Sequence, residues 1–127
     1  MRRVIIDMQA LFAAAVEDAL QKSGFGFVTI RSKRPELTLP LCREGPTDVL
    51  LMDVMSYPPR TLEERLKIRD TLKKTIASCK IVLVVDENSE KKAADGVRLA
   101  KKDGLIDDFI YNSASPAYLS AVLDALC

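Results

Sequence analysis

The stretch VLLMD at positions 49–53 places four apolar residues directly before an acid. A continuous apolar run of this kind is typical of a parallel strand that is buried on both faces of its sheet. Two other β-branched runs end in the same way, since VII at positions 4–6 precedes Asp7 and IVLVV at positions 81–85 precedes Asp86. The sequence therefore predicts three buried strands, each followed by an aspartate.

Helical patterns and two weaker strands fill the rest of the chain. Thr61 and Glu64 form a capping-box pattern ahead of an amphipathic helix that runs towards Ile76. Further helices are predicted at positions 10–22, 89–102 and 116–126, and further strands at 25–30 and 109–111. Strands that alternate with helices predict right-handed crossovers and a five-stranded parallel sheet with helices on both faces, which is a doubly wound α/β domain.

The stretch at positions 31–47 is harder to assign. It contains Pro35, Pro40, Gly45 and Pro46, and prolines interrupt regular helix. Leucines alternate at positions 37, 39 and 41, a period that favours extended chain over helix.

Composition limits the classes of function. The chain has 127 residues, of which 48% are hydrophobic and 29% are charged, and this favours a single domain over positions 1–127. The net charge of +1 disfavours nucleic-acid binding, and no apolar run approaches a membrane span. The three cysteines form no CxxC pair, so we expect neither a disulfide framework nor a zinc site, and a cytoplasmic location. Because the chain has no histidine, any chemistry would depend on carboxylates.

Acids at the carboxyl ends of parallel strands are expected at the edge of the sheet where α/β domains place their functional crevice. Asp7, Asp53 and Asp86 all fall there. With its buried strand ending at Asp53 and the stretch GLIDDFIYNSASP at positions 104–116, the chain resembles the receiver domains of two-component response regulators over essentially its whole length. The resemblance implies the flavodoxin-like strand order 2-1-3-4-5.

The resemblance also implies roles for single residues. Asp53 stands at the position of the phospho-accepting aspartate. A Mg²⁺ ion would be held by Asp7, Asp53 and the backbone carbonyl of Met55. Asp86 would be a replacement acid for the metal if the end of its strand were shifted.

Three positions depart from the family pattern. Met8 replaces the usual second acid after the first strand, and a thioether is a poor ligand for Mg²⁺. Val85 replaces a hydroxyl residue at the end of the fourth strand. Asn112 replaces the lysine that would pair with the phosphorylated aspartate. Phosphoryl transfer depends on metal and cationic contacts of this kind, so the sequence predicts an atypical receiver.

The expected function is therefore signalling without enzymatic activity, through a protein partner such as a histidine kinase or a downstream target. By resemblance, the interaction face lies on the fourth and fifth helices and the fifth strand and includes Arg98, Lys102, Tyr111 and Tyr118. A homodimer through this face is a further option. No contact with nucleic acid or a membrane is expected.

Two alternatives stay open at this stage. One is a conventional Mg²⁺-dependent phospho-acceptor that uses Asp53. The other is a flavodoxin-like domain that binds a small molecule or cofactor, since one fold serves many functions. The absence of a glycine-rich phosphate loop after the first strand disfavours this second alternative.

Overall fold

The computed structural model describes residues 2–127, which form five strands and five helices in alternation. The strands are β1 (Arg2–Asp7), β2 (Phe27–Arg31), β3 (Val49–Val54), β4 (Lys80–Val85) and β5 (Asp108–Tyr111). The helices are α1 (Ala10–Lys22), α2 (Pro35–Arg43), α3 (Leu62–Lys73), α4 (Lys91–Lys102) and α5 (Pro116–Leu126).

All four strand pairings are parallel, and the order in the sheet is β2-β1-β3-β4-β5. This confirms the predicted doubly wound α/β fold. Asp7 is in register with Met52, so the aspartates at the ends of β1 and β3 become neighbours across the centre of the sheet.

The sheet is buried on both faces, as its apolar strands require. On one face, Leu50 and Met52 pack in a cluster with residues of α2, α3 and α4, among them Leu72 and Val97. On the other face, Leu51 packs in a cluster with residues of α1 and α5. The alternation of side chains along each strand separates these two layers of core.

Residues 35–43, where the leucine alternation favours extended chain, form the helix α2, which corrects that prediction. Pro35 occupies the first turn, where a helix needs no backbone N–H donor. Pro40 lies within the helix on its exposed side. Thr38 and Cys42 lie four residues apart and are both buried. The burial of these two residues at helical spacing thus favours a helix, against the extended chain that the alternating leucines suggest.

Three element boundaries also differ from the prediction. β2 begins at Phe27 rather than Phe25, because the chain bends at residues 23–25 and Gly24 and Gly26 have φ angles of 80° and 79°, outside the range of a strand. α3 ends at Lys73, before Ile76. α4 begins at Lys91 rather than Ser89.

Across residues 2–127, none of the helices has the length and apolar character needed to cross a membrane.

Candidate functional site

Asp7 and Asp53 come together at the carboxyl edge of the sheet, as the sequence predicts. Both residues are buried, with 0% and 2% of their surface exposed. Two buried carboxylates this close repel each other unless cations neutralise them. The structure supplies those cations from the loop after β3 and from the first turn of α3.

Arg65 is the inner cation and is fully buried. Its Nη1 donates to Asp7 Oδ2 at 2.7 Å and its Nη2 to Asp7 Oδ1 at 3.3 Å, which is a forked contact. Nη2 also donates to Asp53 Oδ1 at 2.9 Å and to the Asp7 carbonyl at 3.0 Å. Nε donates to the Asp53 carbonyl at 2.8 Å. The guanidinium therefore binds side chain and backbone of both strand ends.

The capping box predicted for α3 fixes where Arg65 lies. The Thr61 hydroxyl accepts the backbone N–H of Glu64, and the Glu64 carboxylate accepts the backbone N–H of Thr61. Arg65 N donates to the Thr61 carbonyl at 3.0 Å. The capped first turn thus places the arginine within hydrogen-bond distance of the ends of β1 and β3.

Arg60 is the outer cation, and 12% of its side-chain surface is exposed. Its Nη1 donates to Asp7 Oδ1 at 3.1 Å and to Asp53 Oδ1 at 2.9 Å. Its backbone carbonyl accepts the N–H of Met55 at 2.8 Å, which closes the loop between β3 and α3. One nitrogen of Arg60 therefore bridges the two carboxylates from the solvent side.

Two further donors complete the site. The Thr38 hydroxyl donates to Asp7 Oδ2 at 2.6 Å, and the Gln9 backbone N–H donates to Asp53 Oδ2 at 2.9 Å. Within residues 2–127, no buried side-chain nitrogen or oxygen lacks a hydrogen-bond partner. Two carboxylates and two guanidiniums give a cluster without net charge, which we call the Asp–Arg cluster.

The residues of the Asp–Arg cluster do not fit Mg²⁺. The ion needs several oxygen ligands in near-octahedral geometry, whereas every carboxylate oxygen here already accepts a hydrogen bond. A divalent cation would have to displace Arg65 and leave its buried charge unpaired, which is strongly unfavourable. Over residues 2–127, no group of three or more acidic, cysteine or histidine side chains could hold a metal ion.

Asp86, the expected replacement acid, does not reach this site. β4 ends at Val85 without a shift, and the Asp86 carboxylate accepts the backbone N–H groups of Asn88 at 2.9 Å and Ser89 at 3.2 Å. These bonds hold the pKa of Asp86 below its ordinary value. Asp86 therefore orders the loop that leads into α4.

The other residues expected around the pocket are not among the hydrogen-bond partners of the two carboxylates within residues 2–127. Met8 is buried in the apolar core with residues of α1 and α5, and Val85 is buried in the core on the opposite face. Asn112 is exposed, and its backbone N–H donates to the Val85 carbonyl at 3.0 Å. The carboxylates take their hydrogen bonds from other residues. Of the predicted pocket residues, Asp7 and Asp53 share the cluster, whereas Met8 and Asn112 both line a cavity of about 140 Å³ beside α1 and α5.

Neither arginine was predicted from the sequence, although the pattern around one of them carried a signal. Arg65 lies three residues after Leu62 and seven before Leu72, on the apolar face of a helix. A charged residue on such a face is almost never fully buried without a partner. Arg60 had no comparable signal, because it lies in a loop.

The four residues predicted for an interaction face lie on α4, β5 and α5. Arg98 Nη1 donates to the Tyr111 hydroxyl at 2.8 Å, and Arg98 also pairs with Asp95. These bonds raise the pKa of Arg98 above its ordinary value. Tyr118 and Lys102 are exposed, so all four predicted residues lie on these elements.

The fold has close counterparts among solved structures. A response regulator receiver domain protein from Clostridium thermocellum superimposes with a TM-score of 0.78 at 15% identity, over 99% of this chain and 94% of that one. The chain has the receiver fold. Response regulator protein TrrA from Thermotoga maritima, crystallised in complex with Mg²⁺ and BeF, matches with a TM-score of 0.76 at 17% identity over the whole of both chains.

An orphan response regulator of H. pylori matches with a TM-score of 0.74 at 17% identity, over 98% of this chain and 95% of that one. At the level of sequence, no protein-family model and no curated protein match the chain. The likeness to receivers is thus one of fold, and the roles of single residues follow from their own contacts.

Proposed function

We propose that this chain is an atypical receiver domain that signals by binding a protein partner and does not accept a phosphoryl group at Asp53. The observation that carries this proposal is the buried guanidinium of Arg65 between Asp7 and Asp53. Receiver-like architecture supports a signalling role, and the occupied carboxylates support one that is independent of phosphorylation.

The contacts of Asp53 oppose its use as a nucleophile. Oδ1 accepts hydrogen bonds from Arg60 and Arg65, and Oδ2 accepts one from the Gln9 backbone. Charge-assisted bonds withdraw electron density from the carboxylate and fix its orientation. Attack on a phosphoryl donor would need these bonds to break without help from a metal ion. Because phosphoryl transfer depends on positioning and charge neutralisation, the reaction is expected to be very slow.

The face on α4, β5 and α5 is the proposed docking surface. Tyr118 is 56% exposed and Leu99 on α4 is also 56% exposed, and exposed aromatic residues often anchor protein interfaces. Arg98 holds Tyr111 in a fixed orientation through its hydrogen bond. The partner is proposed to be a protein, with a second copy of this chain as the simplest case to test.

Intact mass measurement after incubation with acetyl phosphate and Mg²⁺ tests the proposal. We expect no phosphoryl adduct on the folded wild-type chain, under conditions in which a conventional receiver is labelled. Asp53→Asn serves as the matched control. An adduct that appears on the wild type and disappears in Asp53→Asn would overturn the proposal and assign a conventional phospho-acceptor.

Sedimentation of the wild type and of Tyr118→Arg tests the docking face for self-association. Concentration-dependent dimerisation that the substitution abolishes would assign a second copy as the partner. A monomer at all concentrations would leave a different protein as the proposed partner, to be sought with Tyr118→Arg as the negative control.

A further inference from the structure

We propose that a phosphate group binds in a basic cleft between the end of β2 and the loop that precedes α3, held by Arg31, Lys33 and Arg60. This site goes beyond the proposed signalling function and does not depend on it. The cleft has a volume of about 280 Å³. The three cationic side chains line it together, and Ala10 and Ala13 of α1 form an apolar part of its wall.

The three cationic side chains differ in how many ion pairs they already form. Lys33 is exposed and has no ion-pair partner within residues 2–127. Arg60 donates to the aspartates through Nη1 only, and its Nη2 and Nε donate no hydrogen bond to an acceptor within residues 2–127. Arg31 pairs loosely with Glu17, with 3.4 Å between Nε and Oε1. An anion in the cleft would therefore meet N–H donors that have no stronger partner.

The backbone that carries Arg31 and Lys33 is fixed by hydrogen bonds. Ser32 between them is buried, and its N–H donates to the Ile6 carbonyl at 2.8 Å. Its hydroxyl lies 2.8 Å from the Arg34 carbonyl and 2.8 Å from the Thr38 hydroxyl, and its single proton goes to one of these two acceptors. Thr38 in turn donates to Asp7. These contacts fix the backbone that carries two of the three cations and place it beside the Asp–Arg cluster.

The chemistry of the cleft favours phosphate over other anions. A guanidinium presents a planar fork of donors that matches phosphate oxygens, and an ammonium adds a compact positive charge. A doubly charged oxyanion gains more than a singly charged carboxylate does from the unpaired charge of Lys33 and the remaining N–H donors of the two arginines. The cleft is at the small end of the range of ligand sites, which suits inorganic phosphate or the phosphate of a nucleoside monophosphate.

NMR titration of the isotope-labelled full chain with inorganic phosphate tests the site, with sodium chloride at the same ionic strength as the reference. We expect saturable shifts of the backbone amides of Ser32, Lys33 and Arg60, with an affinity in the millimolar range or tighter. Adenosine monophosphate forms the second arm. Tighter binding of the nucleotide would assign a nucleoside phosphate, and equal binding would assign phosphate alone.

Lys33→Ala is the decisive variant, because Lys33 takes no part in the Asp–Arg cluster. We expect at least a fivefold loss of phosphate affinity, whereas Lys67→Ala, an exposed lysine on α3, should leave the affinity unchanged. The proposal is overturned if neither anion produces saturable shifts at tens of millimolar, or if Lys33→Ala binds as the wild type does. It is equally overturned if Lys67→Ala weakens binding as much as Lys33→Ala. None of these outcomes depends on whether Asp53 can be phosphorylated.

Discussion

Arg65 Nη1 lies 2.7 Å from Asp7 Oδ2, and neither side chain has any exposed surface. This ion pair joins the first turn of α3 to the end of β1, and the same guanidinium continues to Asp53 at the end of β3. The arginine therefore neutralises an edge of the sheet where two acids would otherwise repel each other. It gives a receiver-like domain a cation that belongs to its own chain.

Loss of Arg65 should destabilise the domain severely. In Arg65→Met the two aspartates would remain buried with only Arg60 to neutralise them. Removing one partner of a buried ion pair commonly costs about 3–5 kcal/mol, and urea denaturation measures this loss. Arg65→Lys should recover only part of it, since an ammonium cannot replace the fork of contacts to Asp7 and Asp53.

Lys67→Gln is the matched control for Arg65→Met, because Lys67 lies on the same helix in an exposed pair with Glu63. Its cost should stay below about 0.5 kcal/mol. Equal stabilities for Arg65→Met and Lys67→Gln would show that the buried cluster contributes nothing to folding.

Removing the cap of α3 should affect the cluster from a distance. Thr61→Ala deletes the hydroxyl that accepts the Glu64 N–H, and loss of an N-cap costs about 1 kcal/mol. Because the Arg65 N–H donates to the Thr61 carbonyl, we also expect faster hydrogen exchange of the Arg65 amide. Thr61→Ser retains the hydroxyl and should restore both quantities, whereas Thr61→Ser behaving like Thr61→Ala would contradict the capping role.

The sequence predicts the sheet well because its strands are continuous apolar runs whose burial leaves little choice of structure. It predicts α2 poorly, because Pro35 and Pro40 suggest that no helix forms there. The helix accommodates Pro35 in its first turn and Pro40 on its exposed side. For the site, the two aspartates follow from the strand ends. The roles of the two arginines do not follow from the sequence, because contacts between elements distant in the chain leave no local pattern. Only Arg65 could have been noticed, as a charged residue on the apolar face of a helix.

The three thiols should differ in reactivity. Burial raises the pKa of Cys42 to about 11 and that of Cys79 to about 12. Partial burial also raises the pKa of Cys127, but this residue is exposed and accessible to a reagent. Because the thiolate is the reactive form, a disulfide reagent at about pH 8 should label one thiol quickly in the native protein. Cys127→Ser should abolish that fast phase, and rapid labelling that persists in this variant would contradict the burial of the other two.

The buried thiols of Cys42 and Cys79 should make the free energy of unfolding fall at alkaline pH. Their native pKa values lie above the ordinary value of 9.0, so their contribution is fully present below about pH 9 and is lost as the pH rises towards 11 and 12. Urea denaturation across this interval should show a smaller loss for Cys79→Ala than for the wild type. Equal losses would mean that the Cys79 thiol ionises alike in the folded and unfolded chains.

The central claim is that Arg60 and Arg65 satisfy the carboxylates that would otherwise hold a divalent cation. NMR titration of the wild-type chain with Mg²⁺ tests it most directly, because the backbone amide of Gln9 binds Asp53 and reports on that carboxylate. The claim predicts no saturable shift of the Gln9 and Asp53 amides at millimolar Mg²⁺. A saturable shift of both amides that is lost in Asp53→Asn would contradict it.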